Sequence, residues 1–143
     1  MGEIRNDWTK EEVAAIFNLP IMELMYRASV VHRKFQATGE VQVCTLLSVK
    51  TGGCPEDCAY CPQASRYHTE VERHNLLGYD EVLTKALIAK ENGSTRFCMG
   101  AAWINIKDNE DFDNVLEVVK GVSNIGLEVC CTLGMLTEDQ AKK

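Results

Sequence analysis

Three cysteines share one short stretch of this chain: Cys54, Cys58 and Cys61, in the run Gly52-Gly53-Cys54-Pro55-Glu56-Asp57-Cys58-Ala59-Tyr60-Cys61-Pro62. Thiolates at CxxxCxxC spacing can wrap a cube-shaped iron–sulfur cluster and hold all but one of its irons. The remaining iron has no protein ligand nearby and stays open to a small molecule. A cluster that only carries electrons normally takes four cysteines. A three-cysteine loop therefore points to a cluster that acts on something it binds.

Other chemistries compete for the same residues. Structural zinc takes four ligands, usually two CxxC-type pairs or a Cys/His set. The second pair is absent here, but His68 and His74 are near enough in sequence to complete a zinc site. Disulfides suit a secreted chain. The opening run Met1-Gly2-Glu3-Ile4-Arg5-Asn6-Asp7 is polar and has no apolar core of a signal peptide. The odd count of seven cysteines also fits reduced thiols and cluster ligands better than a disulfide framework. Glu56 and Asp57 inside the loop read as loop hydrogen-bonding groups. Gly52-Gly53 lacks the GxxxxGK[ST] frame of a phosphate loop and reads as a tight backbone turn. His32 reads as a packed residue on a helix.

The elements that must position this loop follow from period and punctuation. Thr9 and Glu12 form a capping box, with Trp8 placed to staple onto Val13. A second helix opens after Pro20, with Ile21, Leu24, Met25, Ala28, Val31 and Phe35 on one face. Residues 41–49 are apolar and β-branched and predict a first strand, and the cysteine loop follows it. Asp80 starts a helix with Val82, Leu83, Ala86 and Leu87 inward, ending at Gly93. Residues 95–101 predict a second strand. Phe112, Val115, Leu116, Val119 and Val122 mark a further helix, closed near Gly126, and residues 128–133 a third strand. Thr137-Glu138-Asp139-Gln140 opens another helix with a capping box.

Two helices followed by βαβαβα predict an α/β fold with about three parallel strands and crossover helices. Parallel strands need cover on both faces, which a (β/α) TIM-type barrel provides with eight strands and about 250 residues. The expectation is the N-terminal portion of such a barrel: a helical segment over residues 1–40, then the first βα units over 41–143. A complete small three-strand domain is the alternative.

Strand parity gives a second group of residues. Arg96, Cys98 and Gly100 share one face of the second strand, and Glu128, Cys130 and Thr132 one face of the third. Neighbouring strands lie about 4.8 Å apart, so Cys98 and Cys130 can meet in a barrel interior. They can equally be small buried hydrophobes. Cys131 faces the opposite side and reads as packing. Cys44 lies on the first strand, on the face of Leu46 and Ser48.

The CxxxCxxC run with an aromatic, Tyr60, before its last cysteine resembles the signature of the radical S-adenosylmethionine enzymes. Three longer runs resemble one family among them, the biotin synthases. They are Thr45 through Tyr67, Gly93-Ser94-Thr95-Arg96-Phe97-Cys98-Met99-Gly100-Ala101-Ala102-Trp103, and Gly126-Leu127-Glu128-Val129-Cys130-Cys131-Thr132-Leu133-Gly134. The resemblance runs from about Trp8 to the last residue.

That resemblance implies a barrel enzyme that inserts sulfur into dethiobiotin to give biotin. Cys54, Cys58 and Cys61 would ligate a 4Fe–4S cluster that binds S-adenosylmethionine. Tyr60 and the Gly100-Ala101-Ala102 backbone would line the S-adenosylmethionine site. Cys98 and Cys130 would be two of three cysteine ligands of a 2Fe–2S cluster, whose remaining cysteine and arginine this chain lacks. Arg96 would line that cavity and offset its negative charge. The resemblance also implies an electron-donor protein and a homodimer. It implies a truncated N-terminal part that is inactive alone, since its sulfur-donor ligand set is incomplete.

Composition narrows the alternatives. The 143 residues are 45% hydrophobic and 25% charged, as in soluble globular chains. The net charge of −6 argues against a nucleic-acid partner. No run approaches the roughly 20 apolar residues of a membrane span. Without a targeting segment the expected location is the cytoplasm. Another small-molecule radical S-adenosylmethionine enzyme, a non-catalytic iron–sulfur fragment and a zinc-binding interaction module remain open on these residues.

Overall fold

The computed structural model describes residues 5–143 and divides the chain into two compact units, Met1–Val41 and Gln42–Lys143. The first four residues of the expected helical segment lie outside the described residues.

In the first unit, α1 (Lys10–Phe17) opens on the expected capping box. Glu12 N–H donates to Thr9 Oγ1 at 3.2 Å, and Thr9 N–H donates to the Glu12 carboxylate at 2.9 Å. The Thr9 backbone bond, joined by Arg5, holds the Glu12 carboxyl below its ordinary range. α2 (Ile21–Phe35) follows Pro20. Its apolar stripe is present but uncovered: neither helix contains a buried residue, and Ile21, Met25, Val31 and Phe35 are exposed. No single helix among the described residues is long and apolar enough to cross a membrane.

The second unit runs β1 (Cys44–Lys50), α3 (Tyr79–Glu91), β2 (Arg96–Ala101), α4 (Glu110–Asn124), β3 (Glu128–Thr132) and α5 (Glu138–Lys142). The three strands are parallel in the order β1-β2-β3. This is the expected α/β arrangement of a partial (β/α) barrel, with a sheet that is not closed. β1 begins later than its apolar run suggests. Its partner β2 begins at Arg96, opposite Cys44, so Val41 has no ladder to join and is exposed.

One face of the sheet is covered by α3 and α4. Val49, Phe97 and Met99 pack there against Val82, Ala86, Ala89, Val118, Val122 and Leu127. On α3 the inward stripe is 82/86/89, so Ala89 is 4% exposed while Leu87, expected inward, is 46% exposed. On α4 the stripe is 115/118/122, which buries Val118 and leaves Leu116 and Val119 partly covered. Gly93 (φ 88) and Gly126 (φ 85) follow α3 and α4 as left-handed stops. α5 carries the second expected capping box, Thr137 with Gln140, and Gln140 Nε2 also donates to the Ile106 carbonyl at 3.2 Å.

Gly134 (φ 72) is constrained twice. A methyl group there would lie 2.5 Å from the Ile104 carbonyl oxygen, in a conformation that side chains rarely adopt. Gly134→Ala is expected to cost about 1–3 kcal/mol, read as a lower denaturant midpoint. An unchanged midpoint would refute this packing.

Candidate metal centre

The cysteine loop grows directly out of β1. Gly52 (φ 71) and Gly53 (φ 65) turn the chain away from the sheet. Gly52 N–H donates to Gln63 Oε1 at 2.9 Å. Cys54 N–H donates to the Gln63 carbonyl at 2.9 Å, and Ser65 N–H donates to the Cys54 carbonyl at 2.7 Å. Cys61 N–H closes a turn onto the Cys58 carbonyl at 3.2 Å, and Ala64 N–H a second onto Cys61 at 3.3 Å. Ala64 is buried beneath this double tie. Arg66 bonds the Asp57 backbone carbonyl and lies 3.7 Å from its exposed carboxylate. The backbone is thus stapled at both ends of the cysteine run.

The thiols themselves are free. Cys54 and Cys61 are half-buried and Cys58 is exposed. Among the described residues no three His, Cys, Asp or Glu side chains are gathered as a metal site. The loop supplies the donors close in sequence without drawing their sulfurs together. The histidines of the zinc alternative are not drawn in either, and His74 Nε2 faces Glu72 at 3.8 Å. As a donor set the loop fits an iron–sulfur cluster: three soft thiol ligands, partly open to solvent, beside backbone that is already hydrogen-bonded.

Tyr60 next to the last cysteine is 91% exposed, with its ring free to meet a flat ligand. Gly100 and Ala101 close β2 beside the end of β1, with Ala102 just beyond the strand, and a methyl group on Gly100 would meet nothing within 4 Å. Two carbonyls there are already engaged. Ala101 accepts from Trp103 N–H at 3.0 Å, and Ala102 accepts from Lys50 Nζ at 3.0 Å. Sequence reasoning missed Lys50, which the parallel register sets beside the end of β2.

Cys98 and Cys130 are Cα partners across β2 and β3, as Arg96 and Glu128 are two residues earlier. Cys44 lies opposite Arg96 on β1. This face is the one α3 and α4 leave bare, and Cys44 and Cys130 are exposed on it. Burial, then the hydrogen bond with Cys130, pushes the Cys98 thiol up. Cys131 lies opposite the buried Met99, on the helix-covered face, and burial pushes its thiol up to about 11 although part of the residue remains exposed. Arg96 has a partner that the sequence reading overlooked. Its guanidinium bonds Glu128, which raises its pKa further and, with Gln42, lowers that of Glu128. Arg96 Nε is buried without a hydrogen-bond partner.

No protein-family model matches the chain. Individual curated proteins match it from end to end. The chain is 66% identical to a biotin synthase of Cytophaga hutchinsonii over 143 residues, which is 100% of this chain and 42% of that protein. It is 58% identical to a biotin synthase of Christiangramia forsetii over 140 residues, 98% of this chain and 39% of that protein. A biotin synthase of Sorangium cellulosum is 58% identical over 142 residues, 99% of this chain and 41% of its own length. In sequence this chain is biotin synthase-like throughout. It spans about two fifths of the length of the biotin synthases it matches.

Proposed function

We propose that this chain is the portion of a biotin synthase that binds the radical-generating cluster and S-adenosylmethionine. The observation that carries the proposal is the end-to-end identity to biotin synthases in a chain whose three-cysteine loop leaves the end of a parallel strand. In this reading Cys54, Cys58 and Cys61 hold a 4Fe–4S cluster, and Cys98 and Cys130 supply two ligands to a 2Fe–2S cluster. When bound, these groups and S-adenosylmethionine supply reductive sulfonium cleavage, radical attack on an unactivated carbon of dethiobiotin, and the sulfur that is inserted.

The protein's own part is binding and orientation. The ties from Cys54 to Gln63 and Ser65 fix the ends of the loop, so that ligand binding orders side chains more than backbone. Tyr60 offers a ring face to the adenine. Gly100 leaves room for the methionine end, and the Ala101 and Ala102 carbonyls, each already accepting one hydrogen bond, offer its ammonium group their second lone pair. Arg96, held by Glu128, sets its guanidinium beside Cys44 and Cys130. A separate protein donates the electrons, dethiobiotin is the small-molecule substrate, the enzyme works as a pair of copies, and its setting is the cytoplasm.

Anaerobic reconstitution with iron and sulfide tests the proposal, with absorption and Mössbauer spectra reporting the cluster type. Stoichiometric zinc with no iron uptake would overturn it. Tyr60→Ala is expected to weaken S-adenosylmethionine binding to the loaded chain by about 1–3 kcal/mol, by analogy with base–aromatic stacking. Equal affinity in variant and parent would remove Tyr60 from the site.

A further inference from the structure

We infer that Arg73 is a positioning residue for the three-cysteine loop, bracing the Gly52-Gly53 turn from behind and setting a positive charge beside it. The inference rests on the cluster reading above for the role of the charge. The brace rests on the loop's own geometry.

After the cysteine run the chain returns to the end of β1. His74 N–H donates to the Thr51 carbonyl at 3.0 Å in an isolated antiparallel bridge. This pairing lays Arg73 along both glycines. A methyl group on Gly52 would lie 3.0 Å from the Glu72 carbonyl oxygen, 3.2 Å from Arg73 Cγ and 3.3 Å from its Cα. One on Gly53 would lie 3.3 Å from Cδ and Nε and 3.6 Å from Cζ. The two glycines therefore have a second duty besides their positive φ: they leave the space that the arginine stem and guanidinium occupy. Cys54 is the next residue in the chain.

The charge of Arg73 is uncommitted. Arg66 faces Asp57 and Arg96 faces Glu128, but Arg73 has no ion pair among the described residues. Glu72, its neighbour, faces His74. Arg73 also lines a polar cavity of about 270 Å³ with Gly52, Gly53, Gln63 and Ser65, and no cysteine lines that cavity. Arg73 thus stands behind the turn and not among the ligands. An apolar stem packed on backbone with a charged head at the edge stiffens the surface it covers. A fixed positive charge near an iron–sulfur cluster favours its reduced, more negative form, because net charge and local electrostatics set the potential.

Three variants of the 143-residue chain separate these effects. Arg73→Met keeps the stem and removes the charge, Arg73→Lys keeps a charge, and Arg73→Ala removes both. Before iron is added, hydrogen exchange is read at the Cys54 and Ser65 amides, whose bonds close the loop. Arg73→Ala is expected to speed it roughly tenfold, with Arg73→Met near the parent. After anaerobic loading, Arg73→Met is expected to lower the one-electron midpoint potential by the equivalent of about a tenfold change in the equilibrium, about 59 mV. Arg73→Lys should restore most of it. Parent-like exchange in Arg73→Ala overturns the brace, and a parent-like potential in Arg73→Met overturns the charge. A parent chain that takes up no iron removes the cluster reading and the charge with it, while the exchange measurement still decides the brace.

Discussion

Replacing Cys58 with alanine is expected to strip most of the iron from the anaerobically reconstituted chain, from about four irons in the parent to a small residue. Cys58 is the most telling of the three cysteines because its side chain is exposed and packs into no core. Its loss takes away a ligand without opening a cavity, so the fold survives and the iron does not. The two remaining thiols would have to hold a cluster whose other irons face water or small thiols. Cys54→Ala and Cys61→Ala should act in the same direction, since each leaves a two-ligand loop. Cys131→Ala is the control: it removes a thiol on the helix-covered side of β3, opposite Met99, and should leave the iron content unchanged. Iron retained at the parent level in Cys58→Ala would remove that residue from the ligand set.

The fold was legible where one short-range rule decided the outcome. Both capping boxes stand where Thr9-Glu12 and Thr137-Gln140 place them. The alternation of Arg96, Cys98 and Gly100 against Phe97 and Met99 separates the bare face of β2 from its buried face. Helix phase was harder, because on α3 small and large apolar residues crowd the same turns. The stripe that meets Phe97 and Met99 takes Ala89 and leaves out Leu87. At the site, the loop and its cysteines could be read from spacing. The contacts that brace them could not. Lys50 reaching the Ala102 carbonyl, Glu128 holding Arg96 and Arg73 lying on Gly52-Gly53 all join residues distant in sequence. No local pattern marks such pairs; strand register and the returning chain bring them together.

The 143-residue chain, purified without any partner chain, is expected to form no biotin from dethiobiotin under reducing, anaerobic conditions. The argument is one of enclosure and of ligand count. Radical attack on an unactivated carbon needs a site from which water is excluded. Here three strands form an open sheet, and the face bearing Cys98 and Cys130 has no covering layer in its own unit; Leu46 on that face is 74% exposed. The family resemblance calls for a third cysteine and an arginine on the sulfur-donating cluster, and this chain supplies Cys98 and Cys130 alone. It also covers only 42% of the Cytophaga hutchinsonii protein. Reconstitution should therefore load the cluster at Cys54, Cys58 and Cys61 and stop there, with no sulfur transferred to carbon. The assay is biotin formation, with a biotin synthase of full family length as the positive control. Turnover by the isolated chain would show that three strands suffice to shield the reaction and that two cysteines suffice to hold the sulfur donor.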